Sequence, residues 1–124
     1  MKFLVVLRAV AVAHAIAVCL QPFLAGAYLN GSGAAMRLHE PIGHGAASLV
    51  LVQLLIATLY WRSGGRGSAV VVTVLLLAAE GIQIGIGYSR QLALHIPVGV
   101  AIVAIACVFA AWTFRPAAKV EVPS

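Results

Sequence analysis

The sequence predicts an all-α integral membrane protein: a four-helix bundle with up-down-up-down topology and both termini in the cytoplasm. Three observations lead there. First, 63% of the 124 residues are hydrophobic and 9% are charged, with mean hydropathy +1.07. A water-soluble domain carries about 25% charged residues, so this chain has too few to cover a surface facing water. Second, four apolar runs reach the roughly 20 residues a spanning helix needs. Third, the basic residues gather at the ends of those runs. The length allows a single domain over residues 1–124. The net charge of +5 is therefore read as orienting the chain in a lipid bilayer, and nucleic acid is excluded as a partner.

The first helix is expected over about residues 3–29. Lys2 and the "LAGA" that follows the apolar stretch resemble a signal peptide, but a run from Phe3 to Leu29 is too long for a signal-peptide core, so it is read as a retained helix. The second is expected over about 41–61, opened by Pro41, whose missing N–H costs nothing in a first turn. "WRSGGRGS" interrupts the chain before a third helix at about 69–88. "YSRQ" is a tight turn with Ser89 as N-cap, and the fourth helix runs over about 90–114 into the polar tail "RPAAKVEVPS". Connections this short favour antiparallel neighbours. Lys2, Arg8, Arg62, Arg66, Arg115 and Lys119 fall on one side, Arg37 and Arg90 on the other, which puts both termini inside. "GIQIG" sets Gly81 and Gly85 four residues apart, a small-residue face for close helix packing.

Polar groups inside a bilayer are costly and need partners. Counting 1.5 Å per residue from the cytoplasmic ends, His44 on helix two stands roughly 25 Å up and His95 on helix four roughly 28 Å up. Helices two and four are diagonal in such a bundle, so the two histidines leave a slot between them for a plate-shaped cofactor. One haem b with two axial imidazoles fits that slot. Arg37 and Arg90 lie on the same outer side, where they would pair with propionates. Gly43, Gly45 and Gly99 would let a flat ring approach the backbone, and Pro97 would re-aim His95. Ser48, four residues after His44, faces either the pocket or a main-chain carbonyl. Deeper, His14 and Glu80 each stand roughly 16 Å up, and a hydrogen bond between helices one and three would satisfy both, as a structural pair or as part of a proton relay. Gln21 and Gln83 would continue that polar track outward.

Plainer readings accompany these. His44 and His95 would be interfacial histidines bonded to carbonyls or headgroups, or ligands of a non-haem metal. Arg37 and Arg90 would be interfacial anchors. His39 is read as a solvated loop residue ahead of the helix, with the alternative that it replaces His44 as ligand. "HEPIGH" is not the zinc-protease motif, which puts two residues between Glu and the second His. Cys19 and Cys107 differ in counted height, which argues against a disulfide and makes both core thiols.

"EPIGHG" opening helix two and "EGIQIGIGYSRQLALHIPVGVAI" spanning helices three and four resemble one half of the haem A synthase family, and also small bacterial cytochrome-b-type membrane proteins. The likeness covers nearly the whole chain. It implies a four-helix bundle holding haem between histidines on its second and fourth helices, here His44 and His95, in the cytoplasmic (inner) membrane of a bacterium. That family joins two such bundles, which a homodimer would rebuild. Many of its bacterial members carry paired cysteines in the first outer loop, where "LNGSGAAMRLHE" has none. The nearest candidate here for its acidic residue is Glu40.

These readings converge on a small membrane cytochrome b whose iron and haem serve electron transport, exchanging electrons with a quinone or with a partner in a larger membrane complex. Whether it is an enzyme stays open. Two alternatives of other classes stand beside it: a cofactor-free accessory or assembly subunit of a larger membrane enzyme, and a small proton-coupled transporter using His14 and Glu80.

Overall fold

In the computed structural model, which describes residues 2–119, the chain is all-helical. Helix α1 spans Lys2–Leu29, α2 Gly33–Arg62, α3 Ser68–Tyr88 and α4 Leu92–Trp112, followed by a single 3-10 turn at Pro116–Ala118. Each helix packs against the next and α4 returns to α1, so the four form a ring with α1 facing α3 and α2 facing α4 across it. We call the end holding Lys2, Arg62, Ser68 and Trp112 the base, and the end holding the α1–α2 and α3–α4 turns the crown.

The interior is built from small and branched side chains. Leu7, Ala11 and Val18 of α1 meet Val50, Ala57 and Tyr60 of α2, Leu76 of α3, and Ile102, Ala106 and Phe109 of α4. The exterior is apolar as well: Phe23, Leu55, Val71 and Val108 are among the large hydrophobic residues that face outward. Water would not tolerate that surface on a monomer, whereas lipid tails are as apolar as the core. All four helices are long and apolar enough to cross a membrane.

The largest departure from the sequence reading is the start of α2. It begins at Gly33, eight residues before Pro41. Gly31 turns the chain with φ +96°, and Ser32 caps the new helix by accepting the Ala35 N–H at 3.3 Å. The good helix formers Ala34, Ala35, Met36, Arg37 and Leu38 then carry the helix forward. Pro41 thus sits inside a helix, as do Pro22 in α1 and Pro97 in α4. Each removes one main-chain hydrogen bond four residues back.

The α3–α4 connection also differs. Ser89 does not start α4 but ends α3, with its N–H on the Gly85 carbonyl and its hydroxyl on that of Ile86. Arg90 takes φ +56°, and the next N–H, that of Gln91, reaches back to Ile86 at 3.0 Å. This is the helix-ending arrangement that glycine favours. Arg90→Gly is therefore expected to raise stability by about 1 kcal/mol, read as a higher unfolding midpoint in detergent. If Arg90 also holds an anionic group, the same variant weakens that binding.

At the base the tail is docked. Tyr60 donates to the Ala118 carbonyl at 2.8 Å, Arg66 Nε to Ala117 at 2.6 Å, and Arg8 Nε to Thr113 at 2.7 Å. A side chain on Gly65 would run into the Tyr60 ring. Gly81 and Gly85 have open space where a Cβ would lie, so this small-residue face does not pack within the bundle. Cys19 and Cys107, expected at different heights, are in contact with their sulfurs 3.5 Å apart. Their contact sets the two at one level, so the lower ends of α1 and α4 do not lie in one plane.

Candidate functional site

Polar side chains occupy three places. The first lies at the crown, between the diagonal helices α2 and α4. There the ring of His95 faces that of His39, with centroids 6.2 Å apart and planes at 55°. His39 is there because α2 starts early. Its buried positions, Ala35, Ala46, Val50, Gln53, Ala57 and Tyr60, form one stripe, and His39 and Gly43 fill its gap at steps of three and four. His95 and Gly99 extend the buried stripe Ile102, Ala106 and Phe109 of α4 in the same way. His44 follows His39 by five residues, roughly 140° around the helix, and is exposed.

Each facing histidine is held by a glutamine from the neighbouring helix. His95 Nδ1 lies 3.1 Å from the Gln83 carbonyl, and Gln83 Nε2 donates to the His95 carbonyl at 2.8 Å. Across the bundle, with the Gln21 amide oriented by its neighbours, its nitrogen lies 3.1 Å from both the His39 carbonyl and His39 Nδ1, and its oxygen accepts the Gly43 N–H at 3.1 Å. At His95 the Nδ1–H is given to a carbonyl, so the ring presents the lone pair of Nε2. That is how a metal-binding histidine is fixed by its neighbours.

The glycines complete the match. A Cβ on Gly99 would lie 2.7 Å from Gln83 Nε2, and one on Gly43 would lie 3.5 Å from Gln21 Oε1. Gly87 is close to the histidine ring, since its Cβ would meet His95 Cε1 at 3.0 Å. Gly99→Ala is therefore expected to push the Gln83 amide off the His95 carbonyl and to cost about 1–3 kcal/mol. Gly43→Ala, an ordinary contact, should cost less; paired thermal melts in detergent read the difference.

These residues repeat in the sequence. Leu38-His39-Glu40-Pro41-Ile42-Gly43 and Leu94-His95-Ile96-Pro97-Val98-Gly99 share the pattern Leu-His-x-Pro-x-Gly. This is the signal the sequence reading missed when it placed His39 in a loop. Together with Gln21 and Gln83 it makes the α1–α2 and α3–α4 hairpins two versions of one unit.

The second place is beside the first, on the outer surface. His44 Nε2 stands 3.1 Å from the Tyr88 hydroxyl, which itself donates to Glu40 Oε1 at 2.7 Å. The hydroxyl's proton is committed to Glu40, so His44 is the donor in this chain. Ser48 takes the carbonyl option, donating to His44 O at 2.9 Å. Arg37 and Arg90 are exposed and take part in no ion pair among the described residues.

The third place is the bundle centre. His14 Nε2 and Glu80 Oε1 meet at 2.6 Å across the α1–α3 diagonal, with both residues buried. Glu80 Oε2 has no protein partner. Nearby in the core, Gln53 Nε2 donates to Thr73 Oγ1 at 3.2 Å, and Thr73 donates to the Ala69 carbonyl. Gln53 and Thr73 were not singled out from the sequence; the stripe spacing of α2 is the signal that finds Gln53.

What could the crown pair hold? No cluster of three or more His, Cys, Asp or Glu converges among the described residues. Two imidazoles supply half of the ligands of an all-protein tetrahedral zinc site. They do supply what a haem asks of a protein, because its macrocycle brings the in-plane nitrogens and leaves the axial positions to side chains. The donor chemistry of His39 and His95 therefore fits haem better than a bare ion. The chain matches no family model, and no curated protein or solved structure is significantly similar to it.

Proposed function

We propose that this protein is a small membrane cytochrome b, with His39 and His95 as the axial ligands of one haem b near the crown. The observation that carries the reading is the facing pair itself, two partly buried imidazoles on diagonal helices, each oriented by a glutamine of the neighbouring helix. When bound, the haem supplies a one-electron carrier. The chain's part is to present two imidazoles, to hold both rings against rotation, and to keep the base of the bundle closed to water. His39 and His95 would hold the haem from two sides, which suits electron transfer with a quinone or a membrane-complex partner in a bacterial inner membrane, with the crown outward. Arg37 and Arg90, both at the crown, would balance the propionate charge. The pairing of His44 with His95, read from the sequence, remains the competing ligand set. His44 needs its hydrogen bond to Tyr88 broken before it can turn inward.

An absorption spectrum of the detergent-purified protein, oxidised and then reduced with dithionite, tests this reading. A sharp Soret band with resolved α and β bands on reduction is the expected result. Purification of intact, colourless protein after growth with ample haem overturns it. That outcome would favour a cofactor-free subunit of a larger membrane enzyme, a role suited to the outward Gly81 and Gly85, where another helix can approach closely.

A further inference from the structure

The ring of four helices has one open seam. Chain connections join α1 to α2, α2 to α3 and α3 to α4, but no connection joins α4 to α1. Cys19 and Cys107 lie on that seam, 88 residues apart in sequence, with Sγ atoms 3.5 Å from one another. Both are free thiols and both are exposed. They open onto a groove of about 520 Å³ whose other walls are Val12, Ala15, Ile16, Leu20, Phe23 and Ala110. No charged side chain lines it, and it faces outward, toward the surface we assign to lipid.

From this geometry we infer that Cys19 and Cys107 are a redox-active dithiol that closes into an intramolecular disulfide, with a membrane-dissolved quinone as its oxidant. The sulfurs must approach from 3.5 Å to the covalent distance of about 2.05 Å, between helices that already pack together. Two S–H bonds break and one S–S bond forms. The two electrons and two protons pass to the quinone, which leaves as the quinol. The apolar walls select the oxidant: a charged reagent from water does not enter such a groove, while a quinone is concentrated in the phase it faces. The bond turns an open series of four helices into a covalently closed ring, joined at its seam.

This inference does not depend on haem binding. It is tested on full-length protein in liposomes treated with a fully substituted benzoquinone, a reagent that cannot add to the thiols. The protein is then unfolded in SDS and labelled with a maleimide-bearing polymer. Untreated protein should take two labels. After the quinone it should take none, run as a monomer, weigh two hydrogens less, and regain both labels with dithiothreitol. Cys19→Ser should keep its one remaining label with or without the quinone. Protein that keeps both labels after the quinone overturns the inference, as does a disulfide found only in a dimer band. Closure with the soluble oxidant diamide but not with the quinone overturns the quinone as the electron acceptor.

Discussion

His39→Ala and His95→Ala should each abolish the low-spin haem spectrum, while His44→Ala leaves it in place. The expectation rests on where α2 begins. With the helix starting at Gly33, His39 falls on the inward stripe and His44 lies off it, bonded to Tyr88 at 3.1 Å. Each imidazole would contribute one iron bond, so loss of either ligand should release most of the haem or leave a high-spin remnant. Gln83→Ala provides a graded control. It removes the amide that fixes the His95 main chain but leaves the Gln83 carbonyl on the His95 ring, so the loss of haem affinity should fall below the roughly 10–100-fold expected on removing a ring's own partner. Haem titration followed at the Soret band reads all four variants. A spectrum lost in His44→Ala and kept in His39→Ala would reverse the ligand assignment.

The second large effect is expected at the bundle centre. Glu80→Ala strands His14, which is 1% exposed, without its 2.6 Å partner. Two magnitudes compete. Interhelical hydrogen bonds in membrane proteins average about 0.6 kcal/mol and reach about 1.7, whereas breaking a buried ion pair costs about 3–5. The shortness of the contact and the depth of both groups favour the larger figure. The single variants should therefore lose about 3 kcal/mol or more, and the double variant His14→Leu, Glu80→Leu should recover much of that loss, since no polar group remains unpaired. Unfolding in mixed micelles, analysed as a double-mutant cycle, gives the coupling. A coupling below about 1 kcal/mol would mark the pair as a neutral hydrogen bond and weaken the case for a charge-carrying relay through it.

Much of the architecture was legible in the sequence because apolar runs of spanning length leave few alternatives. Four helices, their order and their ends near Leu29, Arg62 and Tyr88 follow from composition and from the breaks at "WRSGGRGS" and "YSRQ". The His14–Glu80 contact was also legible, since two ionisable residues at equal counted depth have little else to bond. The start of α2 was not. A proline reads as a first-turn residue by its local preference, but here Ser32 and five good helix formers ahead of Pro41 prevail over it. That one boundary moved His39 from a loop onto the inward stripe and so changed which histidine faces His95. Depth counting misjudged the cysteines because it assumed that all four helices begin in one plane.

Pro22, Pro41 and Pro97 all lie toward the crown, while Tyr60, Arg66 and Arg8 tie the opposite end together through the tail. The molecule is thus mechanically graded along its long axis, like tweezers held at one end. Three of the four arms each lack a main-chain bond near their tips, and the handle is tied through the tail. Amide exchange should run fastest around Pro41 and Pro97 and slowest around Tyr60. A bulky planar guest would then enter by parting the tips, leaving the handle shut.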